Sequence, residues 1–309
     1  MTPTTPSGAA RRGSPTSAAT FAPSSRRASA VAEAQTYTFD AAGRTIVRVE
    51  IPAGGLTVET WSEPRIEVEV APGRGDDRST VAAGETRVSA ATRGDRQEVS
   101  VRAPKREGGL LGIPWGRGPD LAVTIRCPDG TDIELDSHSA EFEARGSLGV
   151  VSVRSASGDA TLDDATSLSY TTAAGDLTAG AVGEGLTVKS ASGDVDVRSV
   201  GGPTSVNTVS GDARIGASAG PAAVRTVSGD VELEAVGAGV VVGSVSGDVE
   251  VAAVPGLVLW IDAQSVSGTM TSELDVGDEP AEGDETPVEL RIRTVSGDVR
   301  VARSATAAR

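Results

Sequence analysis

The feature that most constrains this chain is a phrase, (S/T)-(V/A)-S-G-D, that returns about every 18 residues. It stands as SASGD at 155–159 and 190–194, TVSGD at 208–212, 226–230 and 294–298, and SVSGD at 244–248. TAAGD at 172–176 and SVSGT at 265–269 are degenerate copies. The glycines are Gly158, Gly175, Gly193, Gly211, Gly229, Gly247, Gly268 and Gly297, separated by 17, 18, 18, 18, 18, 21 and 29 residues. Ala140, in SHSAEF, falls one period before Gly158. A fixed period of this length marks a repeat architecture, in which each unit stacks on its neighbours.

The apolar residues keep phase with these glycines. After Gly229 come Val231, Leu233, Val236, Val240, Val242 and Val245, and the offsets +2, +4, +7, +11, +13 and +16 recur after Gly175 and largely after Gly193. Steps of two are extended chain, and steps of three mark corners. All six offsets are read as inward-facing columns. The Thr/Ser column before the turn (Ser190, Thr208, Thr226, Ser244, Ser265, Thr294) is read as a hydrogen-bond ladder at a corner. The prediction is an all-β fold, a single-stranded parallel β-helix (β-solenoid) with 18-residue rungs. Right-handed winding is the favoured choice, although the sequence does not fix the hand. Nine or so rungs at the usual strand spacing make a stack about 45 Å long.

The turns have a chemical reason. Glycine supplies the positive φ that a tight corner asks for. Asp after it accepts hydrogen bonds from nearby backbone N–H groups. The structural turn residues are therefore those glycines together with Asp159, Asp176, Asp194, Asp212, Asp230, Asp248 and Asp298. The Asp column is read as turn-forming and solvated. Calcium-binding β-rolls carry a higher density of ligands, so no metal is assigned.

Composition supports a narrow core. The chain has 309 residues, 38 Gly and only 8 aromatics, so many small aliphatic side chains must fill its interior. Four Arg and one acid give residues 1–35 a charge of +3, against a net −15 for the chain. An acidic body argues against nucleic acid as a partner.

Domain organisation follows from shifts in pattern. Residues 1–35 read as a disordered basic tail rich in Pro, Ser and Ala. Residues 36–130 carry alternating strands that lead into and cap the solenoid. Residues 131–303 are the solenoid, with an acidic loop inserted at 274–287, and 304–309 are a disordered tail. The final repeat, TVSGDVRVARS, is expected to cap the last rung with basic residues.

Candidate sites are few. The stretch 103–119 holds Leu110, Leu111, Ile113 and Trp115 between basic residues, a candidate partner-binding loop. His138, the single histidine, sits in the pre-turn apolar column without a partner for acid–base work. Trp260 lies at +13 after Gly247 and is expected in the core; Trp61 follows a strand at a turn, and Trp115 is free to bind. Cys127, the single cysteine, shares the phase of Leu121, Val123 and Ile125 and reads as a buried core residue. No catalytic residue, cofactor or metal ligand is assigned. Ser25-Arg26-Arg27 is not followed by an apolar run long enough for a signal, and no stretch is long and apolar enough for a span. The expectation is cytoplasmic, touching membrane peripherally if at all.

The recurrent (T/S)VSGDV, the stretch TIRCPDGTDIELDSHS and the early TIVRVEIPAGGLTVET resemble the bacterial β-strand-repeat adhesin-type domain of unknown function, also called the toastrack domain. The resemblance covers about 36–303. It implies a single-stranded parallel β-helix and supplies no catalytic residues. Some members accompany membrane-stress sensors and regulators of the cell envelope. The expected function is a non-enzymatic interaction scaffold with an unknown protein partner, linked to envelope stress. Alternatives are an exported adhesin or glycan-binding protein and, more remotely, a polysaccharide-active enzyme. Open solenoid ends also allow a homodimer.

Overall fold

A computed structural model describes residues 34–41, 43–104, 118–274 and 287–305. These belong to one unit, Ala32–Arg309. The chain begins with β1 (Gln35–Asp40), β2 (Arg44–Trp61), β3 (Arg65–Pro72), α1 (Asp77–Glu85), β4 (Arg87–Arg93), β5 (Arg96–Arg102) and β6 (Asp120–Pro128). The motifs TIVRVEI and GLTVET, which read as two strands, are one continuous β2. The chain bends at Gly54, where φ is +120° and a β-carbon would lie 1.9 Å from the Leu121 carbonyl oxygen. Helix α1 does not show in the strand pattern. Asp76 caps it by accepting the Ser79 N–H at 2.7 Å, and hydrogen bonds from the Ser79 hydroxyl and then its N–H lower the Asp76 pKa.

Strand β2 pairs parallel with β7 (Asp132–Arg154), in the register Ile46↔Asp132 to Glu59↔Arg145. The parallel stack therefore reaches back into the region read as preceding it. On its other edge β2 meets β5 through its first half and β6 through its second. The antiparallel pairs β4–β5, β3–β6 and β1–β3 close that end of the stack.

The rungs continue as β8 (Ala160–Thr171) and β9 (Leu177–Lys189). From there each rung divides in two: β10 (Val195–Val200) and β11 (Thr204–Asn207), β12 (Ala213–Ser218) and β13 (Ala222–Arg225), β14 (Val231–Val236) and β15 (Val240–Gly243). The breaks fall at Gly201-Gly202-Pro203, at Gly220-Pro221 and at Gly237-Ala238-Gly239, which end strands for want of a side chain or an N–H. Val195 pairs with Ala213, and Ala213 with Val231, an 18-residue register.

The last rungs depart from chain order. They are β16 (Val249–Ala253), β17 (Leu259–Ser267), β18 (Met270–Ser272), β19 (Val288–Ser296) and β20 (Val299–Arg303). Strand β19 pairs parallel with both β15 and β17, and β20 with both β16 and β18. The C-terminal rung thus lies between its two predecessors, and β17–β18 is outermost. The expectation that TVSGDVRVARS caps the last rung is corrected accordingly. The segment 275–286, most of the acidic insertion, lies outside the described residues; β18 before it is outermost and β19 after it takes the inner position. Ser304, read as part of a disordered tail, is buried and donates its N–H to the Ala253 oxygen at 2.9 Å.

Five of the six apolar offsets form one core running from Val47 to Val301. The sixth does not. Two residues before the turn glycine, +16 in the regular rungs, the side chains of Val209, Val227, Val245 and Val295 are 45–51% exposed. The inward position there is the residue before it, +15 in the regular rungs, where Ser190, Thr208, Thr226, Ser244 and Thr294 are buried. Extended parity carries on from +13 to +15, so the residue after it turns out with the corner.

Candidate functional site

The corner is a surface that nine stacked rungs repeat among the described residues. Bridges run Ser139↔Ser157↔Ala174↔Ser192↔Ser210↔Ser228↔Ser246↔Ser296, and Ser296 pairs with Ser267 in β17. Nine corners are stacked in that order. Their backbones are bonded rung to rung: the Gly229 N–H donates to the Ser246 oxygen at 3.1 Å, and the Ser228 N–H to the Val209 oxygen at 2.8 Å. The glycine is required twice over. Gly211 has φ +138°, and a β-carbon there would lie 2.2 Å from the Gly193 oxygen.

Three ladders cover this corner. The first is apolar, Val209, Val227, Val245, Val295 and Val266 in spatial order, with Val266 83% exposed on the outermost rung. Exposed Ala191, Ala173, Ala156 and His138 continue it toward the N-terminal end. The second is the exposed bridging serines. The third is the aspartates, whose Oδ1 atoms accept the N–H of the corresponding residue one rung on. Asp194 accepts from Asp212, Asp212 from Asp230 and Asp230 from Asp248, at 2.8–2.9 Å. Asp248 accepts from Asp298, not from the next copy in sequence, and Asp298 from Thr269, at 2.8 and 2.7 Å.

The hydrogen-bond ladder thus belongs to carboxylates and not to the Thr/Ser column. Ser155 does donate to the Ser157 oxygen at 2.6 Å and Ser265 to the Gly297 oxygen at 3.1 Å. The buried hydroxyls of Ser190, Thr226, Ser244 and Thr294, however, have no hydrogen-bond partner among the described residues.

On the far side of the valines lies a discontinuous basic column. Arg154, Lys189, Arg225 and Arg293 each stand five residues before the Asp of their own corner, and all four are exposed. Among the described residues Arg154, Lys189 and Arg225 make no ion pair, nor does any aspartate of the ladder; Arg293 reaches Asp262 at 3.7 Å.

Leu110, Leu111, Ile113 and Trp115 lie outside the described residues. His138 is exposed because the column it occupies faces solvent. Trp260, expected in the core, is 52% exposed. Three extra residues precede it in the 21-residue gap, so Ile261, opposite Leu290, takes the inward place and Trp260 points out. Trp61 donates its Nε1–H to the Arg65 oxygen at 2.9 Å under the Arg65 guanidinium, a local clasp. Cys127 is buried, and loss of hydration pushes its thiol pKa up to about 11. Burial pushes Tyr170 up to about 12, and its hydroxyl sits 3.0 Å from the Gly158 oxygen beneath the corner of the 17-residue rung. Neutral groups of this kind hold structure. Among the described residues no group of three or more His, Cys, Asp or Glu is placed to hold a metal, and no helix is long and apolar enough to cross a membrane.

Parallel rungs, a stacked glycine corner and one aliphatic core define a β-solenoid repeat protein. The chain belongs to the Toastrack DUF4097 family, whose profile matches residues 62–302. Among solved structures it is similar to a candidate cell adhesion protein from Clostridium sporogenes, at 12% identity over 88% of this chain and 100% of that one, with a TM-score of 0.24. It is similar too to a candidate adhesin from Bacteroides fragilis, at 11% identity over 88% and 97%, with a TM-score of 0.35. A third is a candidate lipid-binding protein from Parabacteroides distasonis, at 8% identity over 86% and 96%, with a TM-score of 0.38. No curated protein matches the chain.

Proposed function

We propose that this protein is a non-enzymatic interaction scaffold that docks a protein partner along the repeated corner. The observation that carries the reading is the exposed valine ladder. A β-branched aliphatic side chain returns to the same solvent-facing place on five successive rungs, although the rung's core is complete without it. Contiguous exposed apolar surface of this kind marks an interaction site, and repeat folds present extended surfaces for binding. A place in the regulation of envelope stress in the cytoplasm extends this proposal and rests on the family resemblance alone.

The test is photo-crosslinking in cells from single positions. A photoreactive residue at Val227 should give a discrete protein adduct, while one at Ala223, an outward position of β13 away from the ladder, should not. Adducts of equal yield from both positions, or none from Val227, would overturn the reading.

A further inference from the structure

We infer that the partner of this corner is a second copy of the same chain, packed side by side about a two-fold axis parallel to the stack. The inference rests on the docking reading above and names its occupant.

Three observations point the same way. The first is the use of the backbone. The Ser and Gly N–H groups of each regular corner are spent on neighbouring rungs, as at Gly229–Ser246 and Ser228–Val209, so an added strand would meet few free donors along the ladder. Recognition falls to side chains. The second is period. The valines repeat at the strand spacing, about 4.8 Å, and an α-helix repeats at about 5.4 Å per turn with its residues rotating off the line. A second stack of parallel strands stays in step over the whole length, and an identical one does so with the same rungs.

The third is charge. Seen from solvent the corner runs basic column, valines, serines, aspartates. Rotation by half a turn about an axis along the stack sets the valines of one copy against those of the other. It also sets the Arg225 side of one copy against the Asp230 side of its mate. Rotation about the perpendicular in-plane axis would oppose acid to acid. The parallel arrangement thus brings together groups that have no ion pair within one chain among the described residues. Size agrees: the eight intervals between the nine corners span about 38 Å, and at a width of about 20 Å the strip covers roughly 750 Å², close to the 800 Å² or so per partner of a standard interface.

The test uses the full chain. Sedimentation over a concentration series should give twice the monomer mass. The double variant Val227→Lys/Val245→Lys should shift it to the monomer without changing the thermal unfolding midpoint, and Ala223→Lys should leave the dimer intact. Single-cysteine variants fix the geometry. In the parallel arrangement V209C and V295C, toward the two ends of the ladder, each cross-link to themselves. A monomer at every concentration, a dimer indifferent to the lysines, or cross-links formed only between position 209 of one copy and 295 of another would overturn the inference. An adduct of Val227 to a different protein, with a monomeric chain, would overturn the self-association and leave the docking reading standing.

Discussion

At seven of the nine corners a glycine and an aspartate act in different ways. Glycine is needed for its conformation and for its lack of bulk. At Gly211 an added methyl group meets both a positive φ and the Gly193 oxygen. Gly211→Ala should therefore cost about 2–4 kcal/mol, combining backbone strain with overpacking. Gly243→Ala has open space at its β-carbon and should change stability by less than about 0.5 kcal/mol. Urea unfolding compares the two directly, and equal losses would show that the corner is not the constraint described. Aspartate is needed as an acceptor. Asp212→Ala removes the partner of the Asp230 N–H and should cost about 1 kcal/mol. Asp212→Asn keeps an oxygen there and removes one of a row of like charges, so it should match or exceed the parent in stability. An Asn variant as weak as the Ala variant would mean that the charge itself holds the turn.

The element scale shows how far a repeat can be read. The period, the glycine turns and five inward columns were plain in the sequence, because inward positions must be apolar in every rung. The sixth column was misread because valine looks the same inside a core and on an exposed ladder, and only the parity of the preceding Thr or Ser tells them apart. Helix α1 was missed for a different reason. It is nine residues long and buries only Ser79, Ala82 and Ala83, too little to show a helical stripe. The order of the last rungs was not legible at all. A repeat says what its unit is and leaves open which unit it stacks on, and the gaps of 21 and 29 gave only a hint. Leu290 and Ile292 on β19 are fully buried, whereas Ile261 and Ala263 on β17 are half-buried. Hydrogen exchange should accordingly be faster at the amides of β17–β18 than at β19–β20, although β19–β20 comes later in the chain. Protection that falls off with sequence position would contradict this.

Over the whole molecule the rungs form a one-dimensional array, so stability is shared between neighbours and function belongs to surfaces that persist from rung to rung. The corner is such a surface only if its ladders are unbroken. Their continuity depends on the C-terminal rung lying inside the stack, so that Val295 joins Val245 to Val266. Two cysteine pairs test that most directly under mild oxidation. Neighbouring bridge positions have α-carbons within disulfide range, and positions two rungs apart, about 9.6 Å, do not. S246C should close onto S296C and stay open with S267C. A disulfide between positions 246 and 267, with none between 246 and 296, would mean that the rungs stack in chain order and that the ladder is not as described.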